Sequence, residues 1–174
     1  HNIKVAVKEK ILQEDFEHIY SKVHYEDLDN LRKQFETEKG EKGTWYEDTV
    51  IQAYKTFEET KDPEKIEFFI DKRYFEKVLE ISKKFELDLV EEYFRAMIDF
   101  VNIRTFIRCK RQEQDISVLK EALIQGGYID IDDISSYFYK EIQDLVNAHK
   151  NSKIGKSLFL GLKGYNETGR LLLF

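Results

Sequence analysis

The chain has 174 residues, 36% of them charged and 41% hydrophobic, with one cysteine, one proline and a formal net charge of −6. A chain of this size and balance can bury its own core. The composition excludes a disordered segment, a disulfide or cysteine-metal scaffold and a generally basic nucleic-acid binder, and no stretch approaches the roughly 20 apolar residues that cross a bilayer.

The single proline and long 3.6-residue periods predict an all-α fold. Residues 2–14 read as the tail of a helix carrying Ile3, Val7 and Ile11, uncapped, as if the chain were cut inside an element. Asp15 is a predicted cap for a short helix with Phe16, Ile19, Tyr20 and Val23. Leu28, Leu31 and Phe35 mark another, ending before "EKGEKGT", whose Gly40 and Gly43 make it the best internal linker. Trp45 and Tyr46 lead into a helix with Val50, Tyr54 and Phe57 on one side.

Asp62 at a cap and Pro63 at the first helical position begin a long helix. Its apolar stripe runs Ile66, Ile70, Tyr74, Val78, Ile81 and Phe85, widened by Phe69 and Phe75, and such stripes are more often core than interface. Leu89 to Lys110 forms the next helix, apolar almost all round at its centre, the pattern of a helix surrounded by others. Asp115 caps a helix with Ile116, Leu119, Leu123 and Ile124, for which Gly126 and Gly127 serve as the stop. Residues 132–148 read as one helix with Ile134, Tyr137, Phe138, Ile142 and Leu145, and no element is predicted after Lys150.

One phrase resists reading as helix filling: "DFVNIRTFIRCKR", residues 99–111. Asp99 and Asn102 stand three apart and share a helix face. A buried polar group left unpaired costs about 1–3 kcal/mol, so the pair must find partners. It is expected to fix how one helix crosses its neighbour. Arg104, Arg108, Lys110 and Arg111 form a basic helix end that complements the helix dipole. The sharper reading is a partner-facing basic patch for an acidic surface. Cys109 reads as a small hydrophobe.

The opening "HNIKVAVKEKI" repeats this phrase. At an offset of 100, Asn2, Ile3 and Lys4 fall on Asn102, Ile103 and Arg104. Val7, Lys8 and Lys10 fall on Ile107, Arg108 and Lys110, and Asp15 and Phe16 fall on Asp115 and Ile116. That period is too long for a solenoid and fits a duplicated helical domain.

Catalytic and cofactor signals do not assemble. "IGKS" at 154–157 lacks the first glycine of a phosphate loop, where Lys150 stands, and the strand that should precede it. "DIDD" at 130–133 has Ser135 where a calcium loop needs glycine, and reads as an acidic helix start. His1, His18, His24 and His149 form no paired helical ligand motif. The reading is therefore no catalytic residue, no metal and no cofactor.

"IDFVNIRTFIRCKR", preceded by "FIDKRYFEKVLEISKKF", resembles the C-type subunit of the prokaryotic V-type (A/V-type) ATPase, a relative of the eukaryotic d-type subunit. The likeness rests on the Asp, Asn, branched, basic, Thr order on a long helix and on Asp71, Tyr74 and Phe75 one helix earlier. Gly126 and Gly127 after the following short helix add to it. It covers residues 1 to about 145. The resemblance implies an all-α, funnel-shaped protein of three repeated helical-bundle domains, of which this chain is a middle fragment. Residues 1–38 would end an upstream repeat, 45–150 form the central domain and 151–174 either start a further repeat or form a truncated tail. It implies a non-catalytic spacer and socket, peripheral on the cytoplasmic face of the membrane. Its implied partners are the central-shaft subunits and the proteolipid ring, with no nucleic acid and no membrane span, serving ATP-driven H+ or Na+ transport. The competing reading is a helical adaptor or regulatory module unrelated to ATPases.

Overall fold

A computed structural model describes residues 1–21 and 45–168. Among them every regular element is helical, so the fold is all-α. The predicted short helix on Leu28, Leu31 and Phe35 and the "EKGEKGT" linker lie outside the described residues. The chain divides into two compact units, residues 1–73 and 74–174, and the division falls within one helix.

The first unit contains α1 (Asn2–Leu12), a 3-10 turn (Glu17–Ile19), α2 (Trp45–Thr60) and the first part of α3 (Pro63–Lys84). Of the predicted second short helix, the described residues show one 3-10 turn, and its Val23 lies outside the described residues. Asp62 starts α3 as expected, its carboxylate accepting the Glu64 N–H at 2.9 Å. Ala6, Val7, Ala53, Ile66 and Ile70 form the core, with Ile3, Ile11, Tyr54 and Phe57 packed around it. Val7 is fully buried because the four-residue spacing of Ile3, Val7 and Ile11 keeps one side of α1 apolar. At the edge, Lys4 pairs with Asp71 at 2.6 Å and Lys8 with Glu67.

The second unit begins in the later part of α3 and continues with α4 (Asp88–Arg111), α5 (Ile116–Ala122), α6 (Ile131–Ser136), α7 (Ile142–Ala148) and α8 (Gly155–Thr168). Its main core joins Phe106, Ile107, Leu119, Ile134, Leu145 and Leu158. A second cluster joins Phe75 and Leu79 of α3 to Ile98 and Ile124. Asp115 and Asp130 cap α5 and α6, accepting the N–H of Ser117 and Asp132 at 2.8 Å each.

Three expectations fail here, each for a physical reason. α5 stops at Ala122, with Leu123 already extended, so Gly126 and Gly127 are not its stop but belong to the following segment. The helix expected over 132–148 is two helices broken at 137–141. The ammonium of Lys110 donates to the carbonyls of Phe138 and Lys140, at 2.6 and 2.5 Å, and stabilises the break. The tail after Lys150 holds α8, whose Leu158 and Leu162 are buried. Gly155, Gly161 and Gly164 hide it from a propensity reading.

The two copies of the repeated phrase adopt matching geometry. Asn2 accepts the Ser21 N–H at 2.9 Å and donates to the Ser21 carbonyl at 3.1 Å. Asn102 does the same with Ile124, at 2.9 and 2.8 Å. α1 and α4 also end on left-handed residues 100 apart, Gln13 (φ 55°) and Glu113 (φ 52°).

Candidate partner-docking site

α4 places all the singled-out residues. Asp99 and Asn102 are both completely buried and both serve the segment between α5 and α6. The carboxylate of Asp99 accepts the N–H groups of Tyr128 (2.9 Å) and Ile129 (3.1 Å). With the two bonds of Asn102, α4 thus satisfies four backbone groups of a connection that has no helical partners of its own. The partners lie in a loop and not on a crossing helix.

Burial pushes the Asp99 carboxyl up to about 6, against the lowering effect of the Ile129 and Tyr128 N–H groups and of the nearby Arg95 guanidinium. The segment fits the carboxylate closely. A Cβ on Gly127 would lie 2.1 Å from Asp99 Oδ1, and Gly126 holds φ +99°, a conformation that favours glycine. Sequence reasoning missed this use of the glycine pair. It also missed Arg95, which donates to the Gly127 carbonyl at 3.1 Å. The Tyr128 ring has Arg95 Cζ at 4.9 Å and Lys153 Nζ at 5.0 Å from its centroid, and Lys153 pairs with Glu92 at 2.5 Å.

The basic end of α4 divides by function. Lys110 is half-buried and committed to the carbonyls after α6, while Arg104, Arg108 and Arg111 are exposed and lie along one side of the helix at spacings of four and three. The same side continues towards the N-terminus through Val101, Met97, Tyr93 and Val90. Cys109 is buried, as a small hydrophobe would be.

Of the stripe expected to face the core along α3, Ile66, Ile70 and Phe75 are buried and Phe69 and Val78 half-buried. Further on, Phe75, Leu79 and Ser82 are buried, while Tyr74 (40%), Ile81 (39%) and Phe85 (62%) are exposed. Leu89 (84%) and Tyr93 (58%), at the start of α4, are exposed as well. Phe94 forms edge contacts with both Tyr74 and Tyr93, at centroid distances of 6.2 and 5.2 Å, so the two tyrosines flank it.

Among the described residues no group of three or more His, Cys, Asp or Glu side chains could hold a metal ion. No described helix is long and apolar enough to cross a membrane.

No curated protein and no solved structure matches the chain. The family described as ATP synthase (C/AC39) subunit matches it over residues 1–171. Since that match spans nearly the whole sequence, including both copies of the Asn clamp and the polar pair of α4, the chain belongs to the ATP synthase (C/AC39) subunit family of V/A-type ATPases.

Proposed function

We propose that the chain serves as a non-catalytic central-rotor subunit of a V-type ATPase. It is a spacer and socket that couples the central shaft to the membrane proteolipid ring during ATP-driven H+ or Na+ transport. Family membership over residues 1–171 carries this reading. In it, residues 1–38 end an upstream helical repeat, 45–150 form a central repeat and 151–174 lead into another. Asp99 and Asn102 have a packing role, and Arg104, Arg108 and Arg111 face a partner, with Lys110 bracing the turn behind them. The protein lies on the cytoplasmic face of the membrane.

The recurrence of one clamp supports a repeated scaffold. Two helices each pin a downstream backbone residue through an asparagine, and the pinned residue is 19 positions on in one case and 22 in the other. A part that transmits torque needs connections fixed to its helices, and these clamps supply them.

The test is a pull-down of the complete protein from its own cell membranes in mild detergent, with partners identified by mass spectrometry. Recovery of the proteolipid ring together with central-shaft subunits is the expected result. Recovery of soluble regulators without any ATPase subunit overturns the reading in favour of a helical adaptor.

A further inference from the structure

The connection between α5 and α6 is held to α4 at two places by two different chemistries. Asn102 pins it at Ile124 with an uncharged amide, one bond in each direction. Asp99 pins it at Tyr128 and Ile129, whose N–H groups both donate to the carboxylate. The first grip has no charge to lose. The second does.

Among the described residues, both hydrogen bonds of the Asp99 carboxyl are ones it accepts. A proton on either oxygen therefore meets no acceptor and competes with an N–H already in place. Oδ1 is crowded as well, since a Cβ on Gly127 would lie 2.1 Å from it. Even where both bonds survive, they lose the charge that makes such bonds roughly twice as strong as neutral ones.

The charged group acting on Asp99 is Arg95, one turn earlier on α4 and itself paired with Glu91 at 3.5 Å. The connection contributes the Tyr128 phenol, whose ring takes Arg95 and Lys153, and Lys153 is in turn paired with Glu92. Asp130, just beyond, is engaged in capping α6. The α3 residues of the neighbouring cluster, Phe75 and Leu79, carry no charge.

We propose that Asp99 is a proton-operated catch on Tyr128 and Ile129. The carboxylate locks this end of the connection, and the neutral acid releases it while Asn102 keeps the other end fixed. Burial raises the carboxyl from the ordinary 3.8 to about 6, so the catch works within reach of neutral pH. As pH falls through about 6 the carboxyl takes up its proton, and the two N–H groups are freed to exchange with water. Global stability moves the other way, because protonation removes a buried charge. Grip and stability thus run in opposite directions with pH, which separates a switch from a general loosening. The device belongs to the second unit alone and does not rest on the rotor reading.

The test is amide hydrogen exchange in the complete protein, isotope-labelled at tyrosine and isoleucine and followed by NMR between pH 7.5 and pH 5. Rates are corrected for intrinsic exchange. Protection of Tyr128 and Ile129 should fall about tenfold, with a midpoint near pH 6, while that of Ile124 on Asn102 stays constant. Constant protection at all three amides shows that there is no catch and overturns the inference. An equal fall at all three shows a general opening and overturns it too. Asp99→Asn carries no charge, so Tyr128 and Ile129 should be weakly protected at both ends of the range, without a step. A step retained in that variant assigns the switch to another group and sinks the proposal. If the variant does not fold, the three amides of the parent decide alone.

Discussion

The carboxamide of Asn102 and the backbone of Ile124 close a ring of two hydrogen bonds, one in each direction, with both residues buried. Nothing else on α4 could replace an amide here, because the site needs a donor and an acceptor on one planar group. Asn102→Leu fills the volume but strands an N–H and a C=O, each costing about 1–3 kcal/mol. The expected loss is about 2–5 kcal/mol in urea unfolding, with helix content by circular dichroism unchanged. Asn2→Leu breaks the equivalent ring at half-buried Ser21 and should cost about 1 kcal/mol. Equal losses at the two sites would show that burial does not set the strength of the clamp.

Gly127 approaches Asp99 so closely that Gly127→Ala must displace the carboxylate or the loop. Overpacking of this sort costs about 1–3 kcal/mol. Gly126→Ala meets the flexible end of Leu79 as well as its own φ of +99°, and should cost about 1–2 kcal/mol. Thermal melting of both variants checks the pair, and a Gly127→Ala protein as stable as the parent would refute the tight fit.

The pH dependence of stability follows from Asp99. Its carboxyl titrates near 6 in the folded protein against an ordinary value of 3.8. The folded state therefore holds the proton more tightly than the unfolded state. The resulting stabilisation is complete below about pH 4 and is lost as pH rises through about 6, a change of about 3 kcal/mol at most. Asp99→Asn cannot titrate, so the stability difference between parent and variant should change by that order between pH 4 and pH 7. A difference that stays constant across the range would contradict the assignment.

Two helices end on a glutamate where glycine is usual. At the end of α3 the Leu87 N–H bonds to the Ser82 carbonyl (2.8 Å) and the Glu86 N–H to Lys83 (3.2 Å), with Glu86 at φ 54°. At the end of α4 the N–H groups of Gln114 and Glu113 bond to Cys109 (3.0 Å) and Lys110 (3.2 Å), with Glu113 at φ 52°. Both are Schellman ends. The left-handed conformation costs an L-residue about 1–2 kcal/mol, partly offset by the greater chain entropy glycine loses on folding. Glu86→Gly and Glu113→Gly should each stabilise the protein by roughly 0.5–1 kcal/mol, visible as a raised midpoint in urea.

What the sequence made legible were features written in local chemistry. Asp62–Pro63 set the start of α3, the all-round apolar centre of α4 marked a surrounded helix, and the 100-residue echo located both clamps. What it hid were choices made by tertiary partners. The break at 137–141 carries no Gly or Pro and is held by Lys110, some 30 residues away in sequence. α3 carries two apolar stripes, and period alone does not say that Phe75 and Leu79 are buried while Tyr74 and Ile81 stay exposed. At the candidate site, the demand of Asp99 and Asn102 for partners could be read directly. Their partners could not, because a backbone N–H in a loop leaves no mark on residue type.

The four hydrogen bonds that Asp99 and Asn102 make to residues 124–129 spring from a single turn of α4. A pull on that connection is therefore shared among them at once instead of reaching them one after another. Bonds loaded side by side yield together at a high force, where bonds loaded in series open one by one at a low force. The segment should behave as a stiff joint, tolerant of repeated strain in either direction and brittle once Asn102 or Asp99 is lost.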